Sequence, residues 1–411
     1  MRLNQLLLLA IGTSLVFACK REGCTDQSAT NYDKKAKNDD GSCVYDGSGG
    51  NGEGNSEDPD YNLTGTTNSS LNVNDIFENS STVDYYVDGT WTIDAAVTID
   101  PGVRILMKSG SRIRITDNGS LDANGTSSDK IYFIGDQDVE GFWDYIMFDG
   151  SNNPNNRLNH VVVKNGGGNS SRQANVYMRY GSRLILQNST ISKSEGNGLE
   201  VSSFDDKLID FENNNFADNK FNPIKLNNWK QASEIDFATE FTDNNDNNSI
   251  YVGSGDVDQP ITVNKVNGPF YATGSTSIDS DMEITEGVQI LMGPGSTFHI
   301  KSTGSLKITG TASDRVVIEG DEQVEGRWDH ILYDDSNSPN NSITYADISY
   351  GGGNSSRPAN IYVRYSSQLS MGNSSCNYSA GDGVYGSSTI TFNDLGGNTY
   401  TGNVGDDINL N

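Results

Sequence analysis

Two decapeptides constrain this chain more than any other feature. GDQDVEGFWD begins at Gly135 and GDEQVEGRWD at Gly320, an offset of 185 in numbering. That offset runs without a gap from residues 86–200 onto residues 271–385. NGGGNSSRQANVYMRY at 165–180 returns as YGGGNSSRPANIYVRY at 350–365, identical at 12 of 16 positions. Near the end the offset falls to 184, where FADNKFNPIKL meets TGNVGDDINL. Copy one therefore spans about 86–226 and copy two about 271–410. Sequence repeated on this scale is expected to repeat its structure, because the same local preferences act twice.

Inside each copy the apolar residues alternate with period two in short segments. Val103, Ile105 and Met107 interleave with Arg104, Leu106 and Lys108, and Ile113 and Ile115 with Arg112 and Arg114. Such alternation marks half-buried strands, and the Gly, Asn, Asp and Ser clusters between them mark turns. Hydrophobic residues make up only 34% of the chain, and no long helical stripe runs through the body. The expectation is an all-β fold. A sandwich or barrel would fit the short strands, but two features favour a solenoid. NSTISKSEGNGLEV and ENNNFADNKFNPIKL carry Asn-x-x-Ile and Asn-x-x-Phe, with Ile191 and Phe216 at an interval of 25 in numbering. That coil-like spacing lets asparagines ladder from coil to coil. A gapless repeat is also easier to lay end to end than to interlock.

The N-terminus reads as an export signal over residues 1–18, with Arg2 before the apolar run LLLLAIGTSLVFA. That run is short for a membrane span. VFAC, ending at Cys19, resembles a bacterial lipobox, which implies a lipidated Cys19; an ordinary cleaved signal is the alternative. The following KREG carries no acidic run and assigns no membrane face. Residues 19–45 form a small module in which Cys24 and Cys43 are expected to pair in an oxidising compartment. GCTDQSATNYDKKAKNDDGSCVY resembles short modules of secreted Bacteroidetes proteins. Its Asp26, Asp33 and Asp39 are weak candidate Ca²⁺ ligands, and a disulfide-closed spacer is the preferred reading. No cofactor is otherwise assigned. Residues 46–60 are a Gly-rich acidic linker, and residues 61–411 form the body.

The stretch TWTIDAAVTIDPGVRILMKSGSRIRITDNGSLDANGTSSDKIYFIG resembles the first coils of right-handed parallel β-helix proteins of the pectate-lyase-like superfamily, in particular surface and secreted β-helix proteins of Bacteroidetes. The shared elements are TI-x-PGV-x-I, GSL-x-A-x-GT, and a Trp ahead of the next strand at Trp143 and Trp328. The resemblance covers most of residues 86–410. It implies an all-β right-handed parallel β-helix with two tandem ~185-residue repeats, behind a lipid-anchor segment and flexible linker. That fold hosts lyases, hydrolases, adhesins and inert scaffolds. Cys376 aligns with inward-reading Ile191 and is expected to fill core space.

Polar residues retained in both copies are the candidate ligand-binding set: Trp143, Asp144, Arg172, Tyr177 and Arg179, recurring as Trp328, Asp329, Arg357, Tyr362 and Arg364. A tyrosine ring can stack on a sugar, and arginines and carboxylates can bond hydroxyls or a uronate. A structural role as wedges, caps and inter-coil ion pairs accounts for the same retention. The net charge of −27 opposes binding to nucleic acid, which needs basic side chains to neutralise phosphate. β-helix hydrolases carry Asn-Thr-Asp, Gly-His-Gly and Arg-x-Lys motifs, and none occurs here. Arg172, Arg179 and a nearby acid could imitate a lyase base beside a metal.

The leading expectation is a cell-envelope lipoprotein, an adhesin or glycan-binding protein of the outer membrane with one equivalent site per repeat. Two sites on one rod would then hold one long polymer by avidity. A polysaccharide lyase and a scaffold for an envelope protein are the alternatives.

Overall fold

The computed structural model describes residues 34, 35, 37, 61–77, 82–387 and 389–411. The chain divides into two compact units, Met1–Asn55 and Ser56–Asn411. Cys19, Cys24, Cys43, Asp26, Asp33, Asp39 and the residue 46–60 linker lie outside the described residues. No described helix is long and apolar enough to cross a membrane.

The second unit is all-β, and every strand pairing in it is parallel. Three successive strands enter three different sheets, and the next strand returns to the first. One 14-stranded sheet runs from Gly65–Thr67 to Thr399–Thr401. At about 4.8 Å between strands, that sheet is about 62 Å long. The other two positions of the circuit are each filled by one sheet in the first half and another in the second. The six-stranded sheet from Leu71–Val73 to Lys207–Glu212 and the seven-stranded sheet from Tyr85–Val87 to Glu240–Asp243 serve the first half. A seven-stranded sheet beginning at Gly255–Val257 and a six-stranded one beginning at Ile261–Val263 serve the second. This arrangement is compatible with a parallel β-helix.

The alternation fixes which way each side chain points. Ile113, Ile115, Ile146 and Phe148 are fully buried, as are Phe298, Ile300, Ile331 and Tyr333 at the matching positions. They belong to one apolar core that runs through the unit. Cys376 lies in that core beside Ile348, with its Sγ against the Gly383 carbonyl at 3.1 Å. Asparagines do ladder at the bends. Asn159 donates to Asn124, Asn188 to Asn159 and Asn213 to Asn188, at 2.7–2.9 Å. Ile191 pairs with Phe216 on the adjacent strand, as their spacing predicts.

The changeover between halves contains the one helix among the described residues, Trp229–Ala232, standing where a second strand would otherwise lie. Asn228 caps it and Gln231 completes the capping box. Trp229 packs on Phe270 and Phe298 at 5.5 Å and donates its N–H to Thr276.

Candidate functional site

Equivalent residues of the two copies form the same kinds of strand but occupy different sheets. Ile146–Asp149 and Ala174–Arg179 lie in the long sheet, whereas His330–Asp334 and Ala359–Arg364 lie in the seven-stranded sheet visited next. Val161–Lys164 and Ala346–Ser349 make the complementary move into the long sheet. Counting along the long sheet, the offset between copies is seven full circuits and one further strand. Successive asparagine bends lie 35, 29 and 25 residues apart from Asn124 to Asn213, one circuit each.

The candidate residues separate into buried and surface groups. Trp143 and Trp328 are completely buried, and their indole N–H groups donate to the carbonyls of Lys164 and Ser349 at 2.8 Å. Burying a side chain this large contributes about 5 kcal/mol, and neither ring presents a face to a ligand. Asp144 is buried in an ion pair with Arg112 at 2.8 Å, and Asn169 donates to it. Among the described residues Asp329 keeps the asparagine, Asn354, without an arginine, because Thr297 stands where Arg112 does. Tyr177 lies in a small buried cluster with Tyr145, Met147 and Ala174 on the outer side of the long sheet. Tyr362 stacks on Tyr385 at 4.8 Å. Arg172 and Arg357 are half-buried in the GGGNSSR loops and make no ion pair among the described residues.

Arg179 and Arg364 define the better site. Arg179 donates from Nε to Asp149 Oδ1 at 2.6 Å and from Nη2 to Oδ2 at 3.0 Å. Arg114, two strands below Arg179 in the long sheet, donates to the same Oδ2 at 2.6 Å. Arg364 grips Asp334 with the same fork at 2.9 and 2.7 Å, and His299 takes the place of Arg114 at 2.8 Å. Asp149 and Asp334 are thus the centres of the two clusters. In sequence Asp334, followed by Asp335, looks like a turn acid, and Asp149 does not stand out.

The neighbouring tyrosine completes each cluster. Tyr180 and Tyr365 are 68% and 58% exposed, and their rings lie against the guanidiniums of Arg179 and Arg364, 4.6 Å from carbon to ring centroid in both. Strand parity assigns Tyr180 to the core. The strand instead ends at Arg179, and a φ of 61° at Tyr180 turns the ring outward; at Tyr365 φ is 53°. Such a φ is uncommon for a bulky residue. Here it recurs at several bends between sheets, including His160 and Tyr345, so it belongs to the architecture.

Electrostatics hold the clusters rigid. Burial works to raise the pKa of Asp149, but hydrogen bonds from Arg179 and Arg114 overcome it and keep the carboxyl below its ordinary value. Asp334 is pulled down to about 2, chiefly by Arg364. The carboxylates in turn raise both arginines above their ordinary value. A guanidinium held more firmly protonated is a poorer base, which weighs against Arg179 or Arg364 as the base of a lyase. Burial lowers the pKa of His299 despite its bond to Asp334. Among the described residues no three His, Cys, Asp or Glu side chains gather as a metal site.

Comparison with protein-family models, curated proteins and solved structures finds no match. The fold and these two clusters are therefore the grounds for a functional reading.

Proposed function

We propose that this chain is a right-handed parallel β-helix built by duplication, exported and anchored to a bacterial cell envelope through lipid on Cys19, and that it binds glycans. The observation carrying the binding reading is the recurrence of an exposed tyrosine backed by an arginine–aspartate fork, Tyr180 with Arg179 and Asp149, and Tyr365 with Arg364 and Asp334. A ring fixed on one face and open on the other suits the apolar face of a sugar, and stacking costs little entropy when the ring is already held. The arginine N–H groups left free by the fork are donors for sugar hydroxyls.

The test uses a panel of neutral and acidic polysaccharides, each run with the full chain on size-exclusion chromatography. A polymer that co-elutes with the protein at unchanged length supports the reading, and the Tyr180→Ala, Tyr365→Ala pair should release it. A polymer that shortens makes the protein an enzyme. Binding that survives the double substitution removes these tyrosines from the site.

A further inference from the structure

The two tyrosine clusters do not share a face. Tyr180 stands at the bend where the chain leaves the long sheet, since it follows strand Ala174–Arg179. Tyr365 follows Ala359–Arg364 and stands at the bend after the second sheet of the circuit. Their separation along the stack is seven circuits and a third, about 35 Å at about 4.8 Å per strand. A whole number of circuits would have put one cluster above the other on the same edge. The extra strand carries the second cluster round to the next edge.

The body between them is packed. The apolar core is continuous from Val73 to Val384, and the long sheet passes unbroken through the changeover. The clusters therefore cannot be brought to one side by a hinge between the halves.

Resting on the glycan-binding reading, we propose that the protein bridges two separate glycan strands, one at Tyr180 and one at Tyr365, and does not hold a single strand at both. A polymer following the rod axis meets one edge only. A strand gripped at one cluster passes the other cluster by, so the second site is free to take a different strand. The bound state is a cross-link, and its yield rises and then falls as protein is added, because excess protein occupies each strand singly.

The experiment measures, for the full chain, affinity for a short oligosaccharide, affinity for the long polymer of the same sugar, and light scattering of the polymer solution. The probe is the sugar found by chromatography. Bridging predicts that a long polymer binds within about threefold of the oligosaccharide, whereas intramolecular engagement of both sites raises avidity by ~10²–10⁴-fold. Scattering should rise to a maximum near equal numbers of sites and strands. Tyr180→Ala or Tyr365→Ala alone should abolish the scattering while the remaining site keeps its oligosaccharide affinity. A polymer affinity that climbs steeply with length, lost in either single variant without scattering, overturns bridging and leaves glycan binding standing. If no oligosaccharide or polymer binds, both fall.

Discussion

Asp334→Asn tests whether the fork at the second cluster stabilises the body through charge. The carboxyl titrates at about 2 in the folded chain against an ordinary 3.8. At ~1.4 kcal/mol per pH unit that difference is worth about 2 kcal/mol at neutral pH. The folded value is the lower one, so the contribution is complete above 3.8 and is lost as pH falls through about 2. Asparagine keeps the shape and can still accept one bond from Arg364, but it cannot supply the charge that the guanidinium and His299 share. Urea unfolding of both proteins at pH 7, 5, 3 and 2 should give a gap of about 2 kcal/mol at pH 7 and 5, narrower at pH 3 and mostly gone at pH 2. Groups that do not touch Asp334 titrate in both proteins and cancel in the difference, whereas His299, bonded to it, does not. A gap equally large at pH 2 and pH 7 would refute the argument, since packing damage does not titrate.

Two further outcomes follow from close packing. A Cβ on Gly119 would stand 2.1 Å from the Ile93 carbonyl oxygen, and one on Gly304 2.0 Å from that of Ile278, both backbone atoms of the adjacent circuit. Gly119→Ala or Gly304→Ala should therefore cost about 3 kcal/mol or more and lower the melting temperature by several degrees in calorimetry. Burial pushes the Cys376 thiol up to about 12; peptide mapping after iodoacetamide at pH 8 should find it unmodified in the folded protein and alkylated in urea.

Much of the architecture is legible in the sequence because strand alternation and bend chemistry are local. Ile113 and Ile115 declare their inward side by period two alone, and Ile191 and Phe216 mark the length of a circuit by their spacing. The direction of each copy is not legible. An offset of 185 says nothing about whether the circuit divides it evenly, and only the pairing of Val161–Lys164 with one sheet and Ala346–Ser349 with another reveals the remainder. The clusters are half legible. Arg179 and Arg364 stand out as retained charges, but of their partners Asp334 looks like a turn acid and Asp149 does not stand out. Tyr180 is hidden because parity fails one position past a strand end. Retention also misleads at Trp143 and Trp328, where both copies keep the residue for packing.

The helix Trp229–Ala232 bears on how the body comes apart. Two of the three sheets end around it, one at Lys207–Glu212 before the helix and one at Glu240–Asp243 after it, and their replacements begin at Gly255–Val257 and Ile261–Val263, so most hydrogen bonds of each half are made within that half. Of the sheets, the long one alone crosses the seam, through Ile224–Leu226 against Ile250–Val252, with Trp229 beneath it bonded to Thr276 on the far side. In a stack of parallel circuits, stability is approximately the sum of each circuit's own strength and of its interface with the next, so the weakest interface parts first. Here the weakest interface is the changeover, and heat or tension should divide the unit there into two foldons before either half loses its own order.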